Sequence, residues 1–494
     1  MNLGISALDY IEAIKNGEFT VEEFVSETFD QIKKVDGKLH AYLSLNEKAL
    51  DQAKELDKKR KAKEKIGSCM GMPIAIKDNI CVKGTKTTCA SKMLEKYVAL
   101  FDATVIDRLR KQDALFIGKT NLDEFAMGTT TEFSAYGPSK NPWNQEYVPG
   151  GSSGGSAVAV SAFESVASLG SDTGGSVRNP ASFCSIVGLK PTYGLVSRYG
   201  LISYANSIEQ IGPMARTVKD AAFLLNVIAG IDPNDNTTVD NHGEDYLKNI
   251  EAGIDGKKIG IISEMVGKGT DNAVSSATKK ALAKFEDLGA KCEEISIDMV
   301  DYSVASYYTI TSTEAGSNLA RYDNIRYGFD FDLEGYEFNS YISKVRRNFG
   351  PEVTRRLIIG GFVPSAGHAG RYFLKALKVK SKLTKEINSA FKKVDFLVAP
   401  TVPILPFKFG EKLDDPVAMF LIDFNTVTAN LTGKPAISVP FELSNGLPIG
   451  IQIIADSMQE KSLFQAAYAL ESTTNLPKVN HLNFQMGQKL QACL

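Results

Sequence analysis

Short, unbroken apolar runs bounded by glycine, proline or aspartate recur along this chain from residue 73 onward, at 73–80, 115–118 and 166–170. A run of that length without polar alternation reads as a strand covered on both faces, and such strands occur where helices flank a sheet. A second group repeats the theme: an apolar run at 257–262, an amphipathic pattern over 271–288 and another apolar run at 293–297 form a β-α-β rhythm. Further strands are expected at 395–400, 436–439 and 449–454, with a closing helix over 461–473. The expected fold class is therefore α/β, a large central β-sheet surrounded by α-helices around one core.

Two stretches lack the sheet pattern. At the N-terminus, Thr20 to Glu23 has the form of a capping box, and Val21, Phe24, Val25, Thr28, Phe29 and Ile32 follow helical spacing. The stretch 48–65 is charged with both signs interspersed, which reads as a solvated helical face rather than a nucleic-acid patch. From about 300 to 380 the chain is helical in pattern and rich in Arg and Tyr, an insertion covering one end of the sheet. The expected organisation is an N-terminal helical segment (1–65) packed on the core, a single large domain (66–480) and a C-terminal tail (481–494).

Charge and cysteine usage narrow the function classes. The 56 basic and 58 acidic residues leave a formal net charge of -2, so no global field draws the chain to nucleic acid or an anionic membrane. The six cysteines show no C-x-x-C pair, and a chain of 494 residues needs no disulfide framework, so a reducing, cytoplasmic setting is expected. The N-terminus has no secretory pattern, and the most apolar stretch, 157–169, is interrupted by Glu164 and too short to span a membrane.

The chemistry concentrates in two glycine-rich segments, 150–156 (GGSSGGS) and 172–176 (DTGGS), whose serines Ser152 and Ser176 lie 24 residues apart. None of the four histidines lies near them or in a G-x-S-x-G elbow, so a Ser-His-Asp triad is the weaker reading. Asp113 stands where a Walker A loop would need its first glycine, and no metal motif such as H-E-x-x-H is present. The remaining base candidate is Lys77, set in the run 74–80. Burial disfavours the charged amine, and moving a lysine from about 10.4 to near 7 takes roughly 4 to 5 kcal/mol. The bland alternative is a structural lysine paired with Asp78 or another carboxylate. Backbone N–H groups of Thr173, Gly174, Gly175 and Ser176 are suited to a concave nest for an oxyanion.

These segments, with Val177-Arg178-Asn179-Pro180 and the 183–192 stretch (FCSIVGLKPT), resemble the amidase signature family, and the resemblance covers nearly all of the chain. It implies a mixed central sheet wrapped by helices and a Ser-Ser-Lys triad: Ser176 as nucleophile, Ser152 as bridging serine, Lys77 as base. Segments 193–200, 210–213 and 319–328 are similar to a glutaminase branch of that family, which works in a three-subunit tRNA-dependent amidotransferase. There the B subunit uses ATP and magnesium to activate misacylated Glu-tRNA(Gln) and makes the main tRNA contacts, and the C subunit ties the other two together. No cofactor is implied for the chain itself.

A free amino-acid substrate needs a fixed cation for its carboxylate and a fixed anion for its ammonium. By resemblance these are Arg356 and Asp423, with Tyr307 lining the pocket; Arg355 stays open as the alternative cation. The chain departs from the family's usual residues at Asn179, Thr129 and 365–372. A stand-alone amidase acting on small amides would use the same triad, and a non-catalytic scaffold would have no need to retain it.

Overall fold

A computed structural model of the chain describes residues 1–267, 269–328 and 334–477; the expected tail at 481–494 lies outside the described residues. Eleven strands form one sheet: β1 (Tyr42–Leu45), β2 (Pro73–Lys77), β3 (Leu115–Thr120), β4 (Ala167–Asp172), β5 (Val187–Lys190), β6 (Gln210–Ala215), β7 (Lys258–Ile262), β8 (Lys291–Ile295), β9 (Phe396–Pro400), β10 (Ala436–Ser444) and β11 (Leu447–Ala455). Their order is β1-β3-β2-β4-β6-β5-β10-β11-β9-β7-β8. The sheet is mixed, as the resemblance implies: β3-β2-β4 and β9-β7-β8 run parallel, while the strands between them are antiparallel.

The uninterrupted apolar runs form strands buried at every position, as in β2, β3, β4 and β9. Three strands escaped the sequence reading for different reasons. β1 is a short edge strand with an irregular register against β3. β5 and β6 carry glycine, proline or lysine within fully buried runs, residues that weaken a strand signal. The strand expected at 293–297 lies at Lys291–Ile295 instead, because it is the charged edge of the sheet and pairs only with β7.

At the N-terminal end the helix Val21–Leu39 begins with the expected box: Glu23 N–H donates to Thr20 Oγ1 at 3.1 Å, and Thr20 N–H to the Glu23 carboxylate at 2.7 Å. Its apolar face, through Val21, Phe24, Val25 and Ile32, joins the main hydrophobic core with the strands. Between β8 and β9 the chain forms the helices Ser303–Asn318, Phe338–Arg346, Pro351–Phe362 and Phe373–Ala390. Their buried residues, among them Tyr307, Tyr308 and Val353, form a second core with Leu397 and Ala399 of β9. This lobe brings Tyr307 and Arg356 to the glycine-rich segments.

Candidate active site

Lys77 ends β2, and its side chain is fully buried. Its Nζ lies 2.8 Å from Ser152 Oγ, 2.8 Å from Ser153 Oγ, 2.9 Å from Ser171 Oγ and 3.2 Å from the Ser171 carbonyl. The expected alternative pairing with Asp78 or another carboxylate is not seen: Asp78 pairs with Lys119 at 2.9 Å, and Lys77 has no ion pair among the described residues. Burial among hydroxyls lowers the amine to about 7, with Asp123 and Asp172 opposing the shift from a distance. Near neutral pH, a substantial fraction of the amine therefore carries a lone pair.

The surrounding bonds limit where that lone pair can point. The Ser171 carbonyl only accepts, so it takes an N–H. Ser153 Oγ accepts from Ser171 N–H at 3.3 Å and donates its proton to the Ser171 carbonyl at 3.2 Å. Ser171 Oγ accepts from Asn79 Nδ2 at 2.9 Å. Ser152 has no other side-chain bond among the described residues, so its hydroxyl, like that of Ser171, keeps a proton it can donate to the amine, whereas the Ser153 proton is committed. Ser153, Ser171 and Asn79 were not singled out from sequence, although Ser153 sits inside one glycine-rich segment, Ser171 immediately precedes the other and Asn79 lies two residues after Lys77.

Ser176 is buried but for 7% of its surface. The Ser153 N–H donates to the Ser176 carbonyl at 3.0 Å, tying the two segments together. Among the described residues no hydrogen bond joins Ser152 Oγ to Ser176 Oγ, a link of the kind that often tightens only with substrate bound.

The segment after β4 is shaped by Asp172. Burial alone would raise its carboxyl, but the Arg178 guanidinium outweighs that and holds it well below the usual carboxylate range. Arg178 grips it with two bonds of 3.0 Å and spends its other donors on the Thr426 carbonyl, Gln452 and Asn430. Asp172 also accepts the Gly175 N–H at 2.8 Å and the Val177 N–H at 3.2 Å. Gly175 was expected among the oxyanion donors; here its N–H is committed to Asp172. The N–H groups of Thr173, Gly174 and Ser176 have no acceptor among the described residues and are the free donors of the nest. Glycine is required twice: a Cβ on Gly174 would lie 2.5 Å from the Tyr307 ring, and one on Gly175, at φ +131°, would lie 2.3 Å from Thr426.

The same contacts bring the substrate-binding candidates to the nest. Tyr307 packs on Gly174, and Thr426 Oγ1 donates to the Gly174 carbonyl at 2.5 Å. Asp423, three residues earlier, is buried and accepts from Tyr308 Oη at 2.8 Å and Thr129 Oγ1 at 3.0 Å. Burial raises its carboxyl to about 7 against those two donors, which leaves it short of a cation. Arg356 is buried, held by Glu352 at 2.7 Å and by Tyr204 Oη at 2.6 Å, with its guanidinium 4.9 Å from the Tyr308 ring. Arg355 has a side chain 35% exposed, so Arg356 is the buried cation of the two. Tyr308 thus links the cation to the anion, a role the sequence did not single out beside Tyr307. Thr129, one of the departures from the family's usual residues, keeps the hydroxyl that Asp423 uses.

The amidase family profile matches residues 23–464. The chain belongs to the amidase family. Within it, the chain is 61% identical to the A subunit of glutamyl-tRNA(Gln) amidotransferase from Cenarchaeum symbiosum, over 96% of this chain and 98% of that one. Among solved structures it resembles the corresponding A subunit from Thermotoga maritima, at 41% identity and TM-score 0.81, covering 97% and 99% of the two chains. A peptide amidase of Stenotrophomonas maltophilia shares the fold at 29% identity and TM-score 0.82, covering 96% of this chain and 98% of that one.

Proposed function

We propose that this chain is the glutamine-hydrolysing subunit of a tRNA-dependent amidotransferase and that Ser176, Ser152 and Lys77 perform the hydrolysis. The observation that carries the reading is a fully buried lysine amine 2.8 Å from Ser152 Oγ, in a site whose other wall holds a buried arginine and a buried carboxylate. Such a pair matches the carboxylate and ammonium of an amino acid, and a plain amide would leave the buried Asp423 carboxylate without a cation.

In the proposed reaction Ser176 Oγ attacks the side-chain amide carbon while its proton passes to Ser152 and the Ser152 proton passes to neutral Lys77. The N–H groups of Thr173, Gly174 and Ser176 receive the developing oxyanion. The C–N bond breaks as the relay returns the proton to the leaving nitrogen, and ammonia departs. Water then enters by the same relay, and the glutamyl ester is cleaved to glutamate and free Ser176. The ammonia serves a partner B subunit that uses ATP and magnesium to activate Glu-tRNA(Gln), with a C subunit joining the two in the cytoplasm.

Glutamine hydrolysis by the assembled complex tests this. Ser176→Ala is expected to abolish it, and Ser152→Ala and Lys77→Ala to reduce it by at least about 10²-fold. Parental rates in the Ser176 variant would overturn the nucleophile. Hydrolysis of simple amides by the isolated chain, with no preference for glutamine, would favour a stand-alone amidase.

A further inference from the structure

The helix Phe373–Ala390 carries five lysines and one glutamate in a chain that is nearly neutral overall. Lys375, Lys378, Lys382 and Lys385 follow one another at alternating spacings of three and four, so they form a single stripe about 15 Å long on one helix face. All four are exposed, with Arg371 exposed just before the helix and Lys392 and Lys393 just after it. Among the described residues the stripe has one acidic partner, Glu386, 3.8 Å from Lys382.

The helix Ala49–Lys61 shows what a merely solvated charged face looks like in the same molecule. Three of its five cations are answered by acids: Lys54 pairs with Glu22 and Asp51, Lys58 with Glu55 and Arg60 with Asp57. Like charges repeated at helical spacing destabilise a helix, and on the Phe373–Ala390 helix neighbouring acids do not offset them. At the N-terminal end of the stripe three rings cluster: His368 lies 4.3 Å from Phe362 and 6.0 Å from Tyr372, and Phe362 lies 5.8 Å from Tyr372. Phe362 is 50% and Tyr372 42% exposed, so the cluster is open to solvent. A row of uncompensated amines ending in exposed aromatics matches a polyanion with unstacked bases, which is single-stranded or terminal RNA, better than an acidic protein surface.

We infer that this helix face contacts the tRNA directly, with Lys375, Lys378, Lys382 and Lys385 on the phosphate backbone and the Phe362-Tyr372 cluster available to an unpaired base. The inference rests on the amidotransferase reading, and it adds a tRNA surface on the chain itself to the contacts expected of the B subunit.

The test compares the assembled complex carrying Lys375→Gln, Lys378→Gln, Lys382→Gln and Lys385→Gln with the parent, measuring tRNA affinity from low to moderate salt. Losing four phosphate contacts is expected to weaken binding by at least about tenfold near 100 mM salt and to reduce the slope of log affinity against log salt by about 3. The four Lys→Arg substitutions keep the charge and are expected to bind as the parent does. Glutamine hydrolysis should be unchanged in both, since none of these residues enters the site; its failure in the Ser176→Ala complex concerns the other proposal and is read separately. Unchanged affinity and slope would overturn the inference. So would loss of the B or C subunit from the complex in place of tRNA, which would assign the stripe to a protein partner. Should the fourfold variant fail to fold, Lys378→Gln with Lys382→Gln gives the same reading at half the change in slope.

Discussion

Replacing Lys77 by arginine separates a base from a structural cation. Burial takes the amine from the ordinary 10.5 to about 7, which corresponds to about 5 kcal/mol of differential interaction between its two protonation states. At pH 7 about half of the molecules then hold a neutral amine, against about 0.03% for an exposed lysine. Arginine keeps the positive charge and the donors but cannot deprotonate in this range. A fluorophosphonate that reacts with serine hydroxyls and has neither α-carboxylate nor α-ammonium isolates the triad from Asp423, whose carboxyl also lies near 7. Its reaction with Ser176 in the parent is expected to fall tenfold per pH unit below about 7 and to level off above. In Lys77→Arg the reaction should drop by about 10² to 10⁴-fold and lose the pH limb. Stability supplies a second readout. A lysine depressed in the folded state costs folding free energy at and below pH 7, and the cost fades as pH rises toward 10.5. Lys77→Met is therefore expected to be at least as stable as the parent at pH 7, with the parent gaining on it toward pH 10. A Lys77→Arg variant that keeps both limb and rate within tenfold, or a Lys77→Met variant several kcal/mol less stable by denaturant midpoint, would refute the reasoning.

Three further outcomes follow from the site. Asp423→Asn and Arg356→Lys should each raise the KM for glutamine by roughly 10 to 100-fold, the worth of a charged hydrogen bond in a buried site, and leave fluorophosphonate labelling unchanged; in the parent, KM should rise as pH falls through about 7, because a proton on Asp423 competes with the substrate ammonium. Asp172→Asn leaves the buried Arg178 charge unanswered and should cost about 3 to 5 kcal/mol by denaturant midpoint at pH 7; the native pair's contribution is present above the ordinary carboxylate range and is lost only as pH falls through the lowered value. Glu124, buried and accepting the Gly350 N–H at 2.6 Å, anchors the N-terminus of the helix that carries Arg356; Glu124→Gln should raise KM several-fold with labelling unchanged, and an equal effect on both measurements would mark it as structural only.

How far the chain could be read from its letters differs from element to element. The strands with continuous apolar runs, such as 73–77 and 396–400, were legible because burial on both faces demands an unbroken signal. Lys77, Ser152 and Ser176 were legible because a lysine in such a run and serines in glycine-rich backbone are rare conjunctions with a chemical use. β5 and β6 were not legible, since Gly188, Lys190, Gln210 and Pro213 find their partners only across the sheet. Neither was the commitment of the Gly175 N–H to Asp172, which depends on where Arg178 holds that carboxylate. That Arg356 is buried and Arg355 is not is a matter of helix rotation: adjacent residues point about 100° apart, and only packing against the neighbouring helices decides which one faces inward. The sequence by itself determined the fold class and the type of chemistry, because both follow from local pattern and residue type. The tertiary structure alone decided which hydroxyls surround the amine, where Arg178 and the carboxylate it grips are held, and which arginine is buried, because those depend on contacts between residues far apart in sequence, 75 positions for Lys77 and Ser152 and 248 for Arg178 and Thr426.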